Sequence, residues 1–168
     1  MFLIALAMLA AQAAPEPQPE PMEIAIVRDP ITDQLRATAT LRGGEGRMEI
    51  WCESPNWGDV RVELHSRRWL ARGQIFTGQQ PVTFRFDEGR PYRRLWHVRD
   101  RTASFDDKGR VASFLVSLMR SRRLVLRTRD VENHSFDTTF EYGDTRGAIT
   151  QLLHTCGSRR LNPRVLGE

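Results

Sequence analysis

The sequence predicts an α+β fold: a mostly antiparallel β-sheet of short strands and hairpins, with two helices packed on it and one disulfide. Three observations carry that expectation. Short runs of alternating apolar and polar residues recur between turn-forming clusters. Only two stretches keep helical spacing. The two cysteines, Cys52 and Cys156, both fall on the apolar face of the element that carries them. With 168 residues, 40% of them hydrophobic and 27% charged, the chain has room for one domain with a core.

From the N-terminus, residues 1–13 read as a signal peptide. Met1 to Leu9 is an unbroken apolar run, followed by the small-x-small triplet Ala11-Gln12-Ala13. The run is shorter than the roughly 20 residues a spanning helix needs, so no integral membrane segment is expected in the mature chain. No Lys or Arg precedes the run, which departs from the usual leader. No cysteine follows it, which argues against a lipid anchor. The expected location is periplasmic or secreted. Residues 14–22 alternate proline with polar residues and read as an extended linker. A single domain is expected over 23–157, and residues 158–168, with Arg159, Arg160 and Arg164, read as a flexible basic tail.

The elements follow in order. Glu23 to Arg28 is a strand, closed by the turn Asp29-Pro30-Ile31-Thr32-Asp33, where proline pre-sets φ and aspartate bonds neighbouring backbone. Leu35, Ala37, Ala39 and Leu41 then alternate with Arg36, Thr38 and Thr40. After the turn at Arg42 to Gly46, Met48, Ile50 and Cys52 alternate with Glu49, Trp51 and Glu53. A third turn, Ser54 to Asp59, leads to Val60, Val62 and Leu64, in phase opposite Arg61, Glu63 and His65. Val82, Phe84 and Phe86 face inward on the next strand, and Tyr92 to Val98, Leu124 to Thr128 and Phe136 to Tyr142 complete the set. Asp107 can cap a helix over about Gly109 to Ser121, with Val111, Phe114, Leu115 and Leu118 on one stripe. Asp144 or Thr145 caps the last helix, where Ile149, Leu152, Leu153 and Cys156 share a stripe and Gly157 ends it. An even cysteine count in an oxidising compartment favours a bridge from Cys52 to Cys156. Closing a loop of about 100 residues stabilises by roughly 4 to 5 kcal/mol in the chain-entropy picture.

Catalytic chemistry is thin. His65, His97, His134 and His154 show no metal-ligand spacing and no close carboxylate pair beside a histidine, so no metal site is expected. There is no G-x-S-x-G elbow. Asp106-Asp107 fits a loop end and a helix cap. Gly43, Gly44 and Gly46 lie between strands instead of opening a helix, which rules out a phosphate cradle. No enzyme activity and no cofactor are expected. The net charge is +4 and the pI about 9.8, but Lys108 is the only lysine and acids nearly balance the arginines. That pattern reads first as a general arginine-rich surface.

Binding is the better expectation. Trp51 is out of phase with the core, Trp57 lies in a loop, and Arg36, Arg61 and Arg85 occupy polar strand faces. Aromatic and Arg side chains are common interface anchors, so these five form the candidate partner-binding set. A single-stranded nucleic-acid platform uses the same residue types, but export argues against it. The run of features also resembles a known group: the Asp29 to Asp33 turn, Cys52 on the next strand but one, the V-T-F-R-F-D strand at Val82 to Asp87, Trp96, and the closing helix from Ala148 to Cys156. Together they resemble the VasI-type accessory proteins associated with type VI secretion, and related uncharacterised exported bacterial proteins. The resemblance implies a non-enzymatic periplasmic accessory or interaction domain, associated with a secretion or envelope complex and binding a protein partner. The alternative is an inhibitor or modulator of a cell-wall hydrolase.

Overall fold

The computed structural model describes residues 19–54, 60–71 and 78–157. The expected signal peptide, most of the linker, Trp57 and the basic tail lie outside them. The elements are β1 (Glu23–Arg28), β2 (Leu35–Gly43), β3 (Gly46–Glu53), β4 (Arg61–Ser66), β5 (Gly78–Phe86), β6 (Tyr92–Arg99), β7 (Thr102–Phe105), α1 (Lys108–Arg120), β8 (Arg123–Arg129), β9 (Ser135–Glu141) and α2 (Arg146–Thr155). All nine strands join one antiparallel sheet in the order β1-β2-β3-β4-β7-β6-β5-β8-β9. The expected α+β class is what the chain adopts.

The alternation of the sequence sets the faces. Ala37, Ala39 and Leu41, Met48, Ile50 and Cys52, and Val62 and Leu64 are buried, while the residues between them are not. Turn chemistry sets the registers. Asp29 Oδ1 accepts the amides of Ile31 and Thr32, each at 2.8 Å, and Asp33 sits at φ 58°. Two strands differ from the sequence reading. β7 went unrecognised, because Thr102-Ala103-Ser104-Phe105 is four residues with little apolar contrast. β5 starts at Gly78, ahead of the alternating Val82 to Phe86. It tolerates Pro81 because pairing with β8 begins only at Thr83, so that side of Pro81 needs no donor.

The apolar face is concave. The end of β2 reaches β9, and a Cβ on Gly43 would sit 2.5 Å from the Thr139 carbonyl oxygen. Only the absence of a side chain permits that approach. Gly46, across the turn, is equally tight against the backbone of His65. The chain just before β1 adds to this seam: Glu20 bridges Tyr142, the Gly143 amide donates to the Glu20 carbonyl, and Met22 is buried. Part of the expected linker therefore belongs to the fold.

Both helices cover the concave face. Asp107 caps α1 by accepting the Arg110 amide at 3.1 Å, and Val111, Phe114, Leu115, Leu118 and Met119 are buried. The C-terminal carbonyls of α1 find donors across the chain: Thr145 Oγ1 reaches Leu118 O and Arg146 Nε reaches Met119 O. The Ser121 and Tyr142 hydroxyls meet at 2.6 Å beneath them. α2 packs on β1 to β3, and its end is bonded to β3 through the Cys52–Cys156 disulfide, both residues 0% exposed. The bridge spans 104 residues of sequence. Replacing both cysteines by alanine is expected to lower unfolding free energy by about 3 to 5 kcal/mol in denaturant titration, with the native spectrum retained. In the same assay Gly43→Ala is expected to cost about 1 to 3 kcal/mol by prying β2 from β9.

Candidate functional site, an aromatic groove under the first helix

An open recess lies where α1 leaves the sheet. β7 ends at Phe105, two residues turn the chain, and α1 crosses back over β5 and β6. The helix meets the sheet through Phe114, whose ring lies 5.4 Å from Phe84, 5.1 Å from Phe86 and 5.4 Å from Phe105, edge-on to each. Trp96, fully buried, packs at 4.6 Å on Phe105. Tyr92 stacks on Phe84 at 5.7 Å but is 47% exposed, so the aromatic layer runs from core to surface without a break. Offset and edge-to-face pairs of this kind hold ring positions as well as burying area.

The opposing wall is small by composition. Gly109, Ser113 and Ser117 recur every four residues on α1. The Ser113 and Ser117 hydroxyls each donate back to the carbonyl four residues earlier, at 3.0 Å. They therefore add neither bulk nor free donors. The resulting open groove holds about 640 Å³. A volume of that order suits a small ligand or a few side chains. Its rim is charged by Arg94, Arg110, Asp106 and Asp107, with His97 and the exposed Leu95 at the mouth. Three of these groups are committed elsewhere: Asp107 caps α1, Asp106 lies 3.9 Å from Arg61, and His97 Nε2 lies 3.4 Å from Gln79. The indole of Trp96 lines the groove, but its N–H is itself buried and has no acceptor among the described residues. A buried donor left unpaired costs on the order of 1 to 3 kcal/mol.

The anticipated binding residues are placed as follows. Arg36, Trp51 and Arg61 stand side by side on β2, β3 and β4, on the convex face; Trp51 pairs in register with Thr38 and Arg61. Both guanidinium groups lie over the indole, at 4.5 Å and 5.4 Å, and Trp51 is half-buried among them. This is a cation–π row, continuous with the groove through the Arg61–Asp106 contact. Arg85 stands apart on β5, three strands from β4, with Glu88 at 3.9 Å. Trp57 lies outside the described residues.

A second cluster corrects the reading of His65 as lacking carboxylate neighbours. Glu49 and Glu63 are directly opposite on β3 and β4, where like charges repel. His65 lies two residues along from Glu63. Its Nε2 is 3.0 Å from Glu49 and 3.4 Å from Glu63, and its Nδ1 is 3.3 Å from Thr102 Oγ1. Arg47 Nε completes the compensation at 2.7 Å from Glu49. The E-x-H spacing at Glu63 and His65 was the sequence signal; the cross-strand Glu49 needed the register.

No family model, curated protein or solved structure matches the chain. What the fold and its geometry define is an α+β domain, clamped by a disulfide, with an open aromatic groove beside a cationic convex patch.

The hydrogen bond from His65 holds the Glu63 carboxyl below its ordinary range, with smaller contributions from the nearby Trp51 and Arg61. Bonding to Arg127, at 2.7 Å through each oxygen, does the same for Asp137. Depressed carboxyl groups add stability that is complete above their unfolded pKa and lost as pH falls through the folded value. Stability is thus expected to decline below about pH 4. Glu63→Gln should flatten that acid limb in pH-dependent denaturation, and a limb of unchanged steepness would remove the Glu63–His65 contact from the account.

Proposed function

We propose that this chain is a non-enzymatic binding domain working outside the cytoplasm, and that its partner is a protein engaged through the groove between α1 and β5–β6. One observation carries the reading: an open recess of about 640 Å³ lined by the rings of Phe84, Phe86, Tyr92, Trp96, Phe105 and Phe114. Rigid aromatic pockets with few committed polar groups are how binding surfaces anchor a partner. The acid and base groups at the rim already serve as helix cap, ion-pair partner and hydrogen-bond partner, which favours recognition over proton transfer.

The fully buried disulfide supports an oxidising compartment. Together with the apolar leader and the resemblance to VasI-type accessory proteins, it supports a role beside an envelope or secretion complex of a bacterium. The Arg36–Trp51–Arg61 row adds a cationic border to the same contact.

Site-specific photocrosslinking in cells tests this. A crosslinker at the exposed Ser113, on the groove wall, is expected to trap one discrete protein in the periplasmic or membrane fraction. The same group at the exposed Thr150 of α2 should trap none. Equal adducts from both positions, or none from position 113, would overturn the groove as the binding site.

A further inference from the structure

The groove opens directly onto an unpaired strand edge. β6 pairs with β5 along Tyr92 to Val98, but with β7 only at His97, Val98 and Arg99. On the β7 side, Tyr92 to Trp96 have no partner among the described residues. The ladder stops there because the chain must leave β7 at Phe105 to start α1 at Lys108. An edge of five residues lined by backbone donors and acceptors is a template for another strand.

The side chains around that edge define what would fit. Tyr92, Arg94 and Trp96 alternate on the groove side, Arg93 and Leu95 on the other. Tyr92 and Leu95 are exposed apolar groups at 47% and 56%. Arg90, Arg93 and Arg94 follow one another through the β5–β6 turn and into β6, and all three are exposed. None of the three has a carboxylate within 4.0 Å among the described residues, although ten other arginines do. The Arg94 guanidinium donates instead to the Arg93 carbonyl at 3.0 Å. Arginines on a free edge discourage pairing with a second copy of the same cationic strand, and they favour a strand that carries carboxylates.

We infer that the groove takes an extended acidic peptide segment of the partner protein, added as a strand to the free edge of β6. Alternate residues of that segment project into the aromatic groove, where an apolar side chain fills the recess. Carboxylates on the same segment meet Arg93 and Arg94. Main-chain bonding supplies affinity, and the pocket and the arginines supply selectivity. This rests on the groove being the binding site proposed above.

The test is a phage-displayed random heptapeptide library, selected on the disulfide-bonded full chain, followed by titration of the best synthetic peptide. Enriched sequences should combine carboxylates with an aromatic or branched apolar residue. Amide hydrogen exchange should slow within Tyr92 to Trp96 on binding. Ser113→Phe, which fills the groove from an exposed helix position, and the double variant Arg93→Glu, Arg94→Glu should each weaken binding at least tenfold with an unchanged thermal melt. If Ser113→Phe weakens binding while exchange at Tyr92 to Trp96 is unaltered, strand addition is overturned and the groove reading stands. Absence of enrichment, or binding indifferent to the double charge reversal, overturns the acidic segment. Full binding to Ser113→Phe overturns the groove reading itself.

Discussion

Among the described residues nine strands present one continuous apolar face, and two helices of 13 and 10 residues cover it. A flat sheet of that size would leave much of the face in water, at a cost of roughly 25 cal/mol for each Å² of apolar surface. The sheet curls instead until the end of β2 meets β9, and its own strands share the burial. Curling requires close backbone contact at the seam, which is why glycine stands at position 43. It also leaves the ends of the concavity to be closed. α2 closes one end, bonded to β3, and the Thr145 and Arg146 contacts tie its start to the finish of α1.

The groove is what this arrangement leaves uncovered. α1 can reach the concave face only by leaving the sheet early, and that departure shortens β7 to four residues. One event in the chain path therefore produces both the recess beneath the helix and the unpaired stretch of β6 beside it. The aromatic cluster centred on Phe114 then fixes the depth of the recess, since any tilt of α1 must move a ring that packs with four others. Serine and glycine on the facing side of the helix keep the space open. The groove lining and the core here use the same side chains, with Phe84 and Trp96 belonging to both.

Much of the fold was legible in the sequence, and the reasons are local. Alternation over Leu35 to Leu41 and Met48 to Cys52 marked the inward faces, and Asp29, Asp107 and Gly157 marked element ends through side-chain and backbone chemistry that needs no distant partner. The phase of Trp51 placed it outside the core, beside Arg36 and Arg61. What stayed hidden depends on strand order. β4 pairs with β7 and β5 with β8, both out of sequence order, and no periodicity announces either pairing. The groove inherits that difficulty, because its walls come from β5, β6 and α1. Arg94, a cation in phase with Tyr92, Trp96 and Val98, was the one visible irregularity. Arg85 shares its phase with Arg61 but lies three strands away, where phase alone carries no information.

The clamp also constrains how the chain is made. Synthesis runs from the N-terminus, and Cys52 emerges 104 residues before Cys156. The Cys52 thiol must therefore wait, unpaired, until nearly the whole domain has been delivered. Because the chain has only two cysteines, one intramolecular pairing exists. Maturation thus calls for an oxidant and no reshuffling of wrong bridges. The hazard it does carry is between molecules: two nascent chains, each holding a lone β3 thiol, can join before either has made its second helix.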